Sequence, residues 1–193
     1  MNRFSSANFR SIVALLCFLL TAGVGFALDQ WSKVTSFDKL GMVTSDLDGA
    51  PRVVSLRTVR FIPGWLHFEV TANQGAVFGI GQGRRFLFIA VSVAAILFIF
   101  YLFATSGRQR VYQIILGMLL AGVLGNLYDR IAYGYVRDMI HALPRWPGFF
   151  PWIFNVADSL LCVGVVLMII YSFLHKPDSV GEPHGARPGF PVQ

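Results

Sequence analysis

Charge is what this chain has least of. Only 13% of its 193 residues are Asp, Glu, Lys or Arg, about half of the ~25% usual in a soluble domain. Cysteine is nearly absent. Cys17 and Cys162 both fall inside apolar runs and read as small packing residues, not as a disulfide framework. The four histidines (His67, His141, His175 and His184) lack ligand spacing, and there is no HExxH or paired-cysteine motif, so no metal or other cofactor is expected. No serine or cysteine nucleophile sits beside a plausible base. The surplus of six positive charges comes without a basic stripe or nucleic-acid motif, which argues against nucleic acid and for anionic membrane lipid.

What the chain has in abundance is apolar sequence: 55% hydrophobic residues and a mean hydropathy of +0.60. A membrane helix needs about 20 mostly apolar residues to cross ~30 Å of hydrocarbon. Four segments qualify, at about 12–28, 86–103, 111–127 and 153–174. The expected fold is therefore an all-α membrane protein of four transmembrane helices, forming a single domain over 1–175. Gly117, Ala121 and Gly125 recur every four residues in the third span, a stripe that lets a neighbouring helix approach closely. Arg3, Arg10 and Gly25-Phe26-Ala27 give the first span some likeness to a secretory signal. Its length and its direct run into Asp29-Gln30-Trp31-Ser32-Lys33 favour a retained helix.

Two loops, 29–85 and 128–152, share one side of these spans. In the first, Leu66, Phe68 and Val70 alternate with His67 and Glu69, and Pro63-Gly64 follows Val59-Arg60-Phe61-Ile62 as a turn. The pattern predicts a small β-sheet or cradle on the membrane surface. Residues 176–193 are rich in Pro and Gly and read as a disordered tail. Ten Lys or Arg lie on the loop side and six on the other. Counted near the span ends the two sides almost tie, so the positive-inside rule leaves the orientation open.

Four spans in series alternate in direction, which brings four edges to one membrane face. Each carries unusual polar residues: Asp29-Gln30-Trp31-Ser32-Lys33, Asn73-Gln74-Gly75, Gly125-Asn126-Leu127-Tyr128-Asp129-Arg130 and Asn155-Val156-Ala157-Asp158. Asn126/Asp129 and Asn155/Asp158 share an Asn-x-x-Asp spacing that puts amide and acid on one helix side. Acids at the hydrocarbon edge are costly and mark function. Two close carboxylates share one proton near neutrality, so one can activate water while the other protonates a leaving amine. Asp129 and Asp158 are the expected pair. Asp138, in the outer loop, is expected to be structural.

The segments DQWSK, NQGAVFG, GNLYDRI, VRDMI and FNVADS, in this order and at the span edges, resemble lipoprotein signal peptidase, the signal peptidase II family of membrane aspartic peptidases. The resemblance covers the chain except its termini. It implies cleavage of prolipoproteins just before a diacylglyceryl-modified cysteine, catalysis by Asp129 and Asp158, and sensitivity to cyclic peptides such as globomycin. It also implies a bacterial inner-membrane location, with the site at the outer face and both termini cytoplasmic. Asn73 and Gly75 would bind substrate near the scissile bond, although a tight turn alone would account for both. Asn126, Asn155 and Ala157 would support acids and substrate, and Arg130 would offset negative charge or anchor its helix. Asp29 and Lys33 would position substrate or merely pair at a helix end. Val77, Arg137 and Met139 depart from the usual pattern, and the loop between Lys33 and Asn73 is longer, with Ser45–Ser55 as the extra part.

Two readings from other classes compete. A proton-coupled transporter would need acids at both membrane faces. A non-enzymatic assembly factor would survive loss of both aspartates.

Overall fold

Uncharged runs of leucine, valine, isoleucine and phenylalanine can satisfy their backbone in hydrocarbon only as helices. The computed structural model, which describes residues 11–45, 51–75, 84–107, 109–149 and 152–175, contains four such helices. They are α1 (Ile12–Leu40), α2 (Arg85–Thr105), α3 (Arg110–Ala132) and α4 (Val156–Leu174), each long and apolar enough to cross a membrane. At 1.5 Å per residue α1 is about 44 Å long, more than the ~30 Å hydrocarbon thickness. It runs on to Leu40, past the end of the span expected at 12–28. The disordered reading of 176–193, and Ala76 to Gly79 of the NQGAVFG segment, lie outside the described residues.

The bundle is organised around α3, which is mostly buried, whereas α1, α2 and α4 turn most of their surface outward. Its small-residue stripe is used as the spacing predicts. A Cβ on Gly117 would stand 2.6 Å from the Phe18 carbonyl oxygen of α1, and Ala121 packs directly on Gly25 of α1. Gly122, one position round the helix, meets the Ala157 carbonyl oxygen and Leu161 of α4. At the other end, Phe18 and Phe103 stack with centroids 4.3 Å apart among Ala14, Ile99, Leu116 and Leu120. There Gln113 of α3 donates to Ser106 Oγ and the Gly107 carbonyl oxygen, so its buried amide is satisfied by the α2–α3 turn.

Outside the helical bundle the chain builds two antiparallel sheets. One is a hairpin, β1 (Gly41–Ser45) with β2 (Pro51–Ser55). The other has the order β3–β4–β5–β6, comprising Val59–Ile62, Leu66–Asn73, Val136–Ala142 and Ile153–Phe154. The turn after β3 lies where Pro63-Gly64 predicted it, with Gly64 at φ +78°. The period-two reading of β4 is met in part: Phe68 and Val70 face a small core with Leu40, Met139 and Ile140, whereas Leu66 is outside it. Residues 153–154 are strand β6, not the start of the fourth span, so α4 begins at Val156. The key register is β4 on β5. Thr71 lies opposite Asp138, Ala72 opposite Arg137 and Asn73 opposite Val136. This brings the VRDMI strand beside the helix ends that carry the other polar motifs.

Candidate active site

Asn155 has extended backbone and is the N-cap of α4, not a member of the helix. Its side-chain oxygen accepts from the Asp158 N–H at 2.9 Å, and the Asp158 carboxylate accepts from the Asn155 N–H at 3.2 Å. This reciprocal capping box fixes the Asn-x-x-Asp spacing in FNVADS. Asn126, on α3, reaches across to donate to Asp158 Oδ1 at 2.8 Å. Asn155 Nδ2 then donates to Asn126 Oδ1 at 3.1 Å and to Asp138 Oδ1 at 2.6 Å. The second oxygen of Asp138 accepts from Asn73 Nδ2 at 3.0 Å, while Asn73 Oδ1 accepts from the Gly75 N–H at 3.0 Å, closing a tight turn. Asp138 and Asp158 are thus held by three asparagines, two of which bond to each other.

Asp138 is almost fully enclosed, 1% exposed. Burial first, and then the negative charge of Asp158, push its carboxyl up to about 8, against the pull of the Asn73 and Asn155 amides and of Lys33. A carboxyl so placed holds its proton at neutral pH.

Asp129 has a different environment. It is completely buried, with Oδ2 3.2 Å from Lys33 Nζ and Oδ1 2.8 Å from Arg137 Nη2. Oδ2 also accepts from the Arg137 backbone N–H at 2.9 Å. Asp29 and Lys33 form the expected i,i+4 pair at 2.8 Å, but with both side chains fully buried, not exposed. Asp29 Oδ1 accepts from the Ala157 N–H at 2.9 Å, placing a negative charge on the N-terminus of α4. Lys33 Nζ also donates to Asn126 Oδ1 at 3.2 Å. Gln30 donates to Asp29 and accepts from Arg137 Nη2 at 2.7 Å. Gly125 must lack a side chain here, because a Cβ would overlap the Asp29 carboxylate and crowd Ala157. Ala157 has no exposed surface and sits between Gly122 and Gly125, so nothing larger fits.

The expected pair, Asp129 and Asp158, is held by two different sets of partners. Both residues sit at the same end of the bundle, but Asp129 commits its oxygens to two cations and Asp158 reaches Asp138 through Asn155 and Asn126. The reason is helical phase. Asn126 and Asp129 lie about 300° apart around α3, and the 60° between them suffices to aim one at α4 and the other at α1 and β5. Asp138 was not expected at the site. The available signal was an acid among the apolar residues Val136, Met139 and Ile140 of one short segment, where burial is costly without a reason. Gln30 and Arg137 were likewise not among the expected site residues.

Arg130 donates to the Gly75 carbonyl oxygen at 2.9 Å and lies 5.0 Å above the Phe88 ring. It borders a cavity of about 210 Å³, which is also lined by Asn73, Asn126, Val136 and Asp158 at its polar end. From there the cavity runs along Phe88, Val91, Ser92, Ala95, Val123 and Leu161, between α2, α3 and α4. Among the described residues no group of three or more His, Cys, Asp or Glu is arranged to hold a metal ion.

This chain is similar to known proteins over most of its length. It is 32% identical over 164 residues to the lipoprotein signal peptidase of Enterococcus faecalis, covering 84% of this chain and 91% of that one. It is 38% identical over 156 residues to the lipoprotein signal peptidase of Halothermothrix orenii, covering 80% and 92%. Among solved structures it resembles a bacterial membrane enzyme determined by the in meso method at 2.3 Å resolution. The TM-score is 0.64 at 28% identity, over 84% of this chain and 93% of that one. The family model described as signal peptidase (SPase) II matches residues 21–174. With four apolar helices and a polar site at one end, the chain belongs to the signal peptidase II family of membrane peptidases.

Proposed function

We propose that this protein is an aspartic endopeptidase that removes signal peptides from prolipoproteins just before the diacylglyceryl-modified cysteine, with Asp138 and Asp158 as the acid pair. The observation that carries the reading is the difference between the surroundings of Asp129, Asp138 and Asp158. Asp129 is neutralised by Lys33 and Arg137, whereas Asp138 and Asp158 face no partner nearer than neutral amides. Between them the pair holds one proton. Asp138, which keeps its proton to about pH 8, polarises the scissile carbonyl and later protonates the leaving amine. Asp158, on the cavity wall, takes a proton from the attacking water. The water oxygen bonds to the carbonyl carbon, the C–N bond breaks, and the two protons end on the new carboxyl and amine groups. Titration belongs to the pair, not to either residue.

The substrate's lipid enters sideways between helices along the apolar part of the cavity, and its peptide lies at the polar end against Asn73, Gly75 and Arg130. The site faces the outside of the bacterial inner membrane with both termini cytoplasmic, and membrane lipids surround α1, α2 and α4. Globomycin-type cyclic peptides would occupy the same cavity. A transporter is disfavoured because every Asp and Glu among the described residues lies at or beyond one end of the bundle.

The test is processing of a diacylglyceryl-modified precursor by purified protein, followed by mass. Asp138→Asn and Asp158→Asn should lose turnover while keeping their melting behaviour. Turnover retained in Asp138→Asn and lost in a folded Asp129→Asn would return the pair to Asp129 and Asp158. Equal processing by all variants would favour a non-enzymatic role.

A further inference from the structure

We propose that Arg137 is a positioning residue for the peptidase pair: its guanidinium neutralises Asp129, fixes the strand that carries Asp138, and leaves the Lys33 charge free to act on the acids. The proposal rests on the reading that Asp138 and Asp158 do the chemistry.

The geometry is that of a clamp with several points of hold. Arg137 is 4% exposed. Nη2 and Nε donate to Asp129 Oδ1 at 2.8 and 3.2 Å, Nη2 also reaches Gln30, and the guanidinium lies 4.4 Å from the centre of the Tyr133 ring. The backbone N–H of the same residue donates to Asp129 Oδ2. Main chain and side chain of one residue thus grip one carboxylate, and the next residue along the strand is Asp138. A flat, forked cation suits this role, and a lysine could not fill every contact.

The electrostatics follow from a count of charges. The charged and titratable groups facing Arg137 are Asp29 of α1, Asp129 of α3, and Tyr133 and Tyr135 of the turn that follows; Lys33 lies on the other side of Asp129, and Arg130 lies beyond, toward Asp138 and Asp158. Within the innermost set, Asp29 and Asp129 carry two negative charges and Lys33 and Arg137 two positive ones. Without Arg137 that set has a net charge of −1, and Lys33 alone must serve two carboxylates. Lys33 is also a positive charge felt by both Asp138 and Asp158. An unbalanced Asp129 would cancel that influence and make the acid pair hold its protons more tightly.

The test compares pH–rate profiles and kcat against KM for the purified protein in lipid, with a diacylglyceryl-modified precursor. Arg137→Gln should lower kcat about tenfold to a hundredfold, as expected of a small misplacement. It should also move both limbs of the profile to higher pH by roughly half a unit or more. Asp129→Asn leaves an unbalanced cation and should move both limbs to lower pH. The double variant Arg137→Gln/Asp129→Asn restores neutrality and should return the limbs to their wild-type positions even where kcat stays low. Arg137→Lys should keep the wild-type profile with an intermediate kcat. If Arg137→Gln does not fold, the double variant, which strands no charge, carries the test. A merely structural Arg137 would lower the amount of active enzyme without opposed shifts. Wild-type limbs in Arg137→Gln, shifts of the same sign in both single variants, or displaced limbs in the double variant would overturn the assignment. Asp138→Asn, measured alongside, separates the two claims. If it stays active, the acid pair itself is wrong. If it is inactive while Arg137→Gln behaves as wild type, only the role of Arg137 falls.

Discussion

Two clusters of acids lie next to each other at the same end of this bundle, and they are built on opposite principles. Around Asp29 and Asp129 every negative charge has a positive partner within 3.2 Å. Around Asp138 and Asp158 the near neighbours are the neutral amides of Asn73, Asn126 and Asn155. The first cluster joins α1, α3 and β5 and begins α4, so it fixes geometry. The second holds Asp138 in its protonated form beside an acid that lines the cavity, which is what the proposed chemistry needs. Carboxylates held by amides at one another's expense can exchange a proton near neutral pH.

The largest expected effect that would break this contrast is on turnover. Asp138→Asn or Asp158→Asn should reduce precursor processing by about 10²–10⁴-fold or more, the range attached to a single acid–base group, with near-normal thermal melting. Lys33→Met should show the reverse emphasis. Removing one partner of a buried charge network costs about 3–5 kcal/mol, so denaturation in detergent should report a large loss of stability. Gly125→Ala should also destabilise, because the methyl group would overlap the Asp29 carboxylate. An overpacked site of this kind costs about 1–3 kcal/mol, and the melting temperature should fall accordingly. A smaller effect is set by pH. The raised Asp138 carboxyl supplies a proton only while protonated, so the rate should fall as pH rises through about 8. A rate that keeps climbing well above that value would remove Asp138 as the acid. Least affected should be Thr58→Ala, which loses an exposed contact with Glu69 on the far part of the sheet. Processing should stay within about twofold, since surface changes away from such features usually cost under ~0.5 kcal/mol.

Much of the bundle was legible beforehand, for a physical reason. Crossing hydrocarbon requires long uncharged runs, and these are local properties of the chain. The small-residue stripe Gly117-Ala121-Gly125 and the turn at Pro63-Gly64 were legible on the same terms. The site was only half legible. Serial spans must alternate in direction, so the polar edges had to meet, but alternation does not say which groups bond to which.

Helical spacing placed Asn126 and Asp129 close together, yet their phase on α3 sends them to different neighbours. Asn155 and Asp158 do meet, through a capping box at the start of α4 and not through a shared helix face. Asp138 was hidden because its place depends on the pairing of β4 with β5, a contact between residues about 65 positions apart. Composition and hydropathy thus determined by themselves that this is a four-helix membrane protein with acids gathered at one face. Which acids lie against cations and which against amides was decided by strand register and helix packing, because ionisation depends on the charges and amides within a few ångströms of a side chain, and those come from five separate parts of the chain.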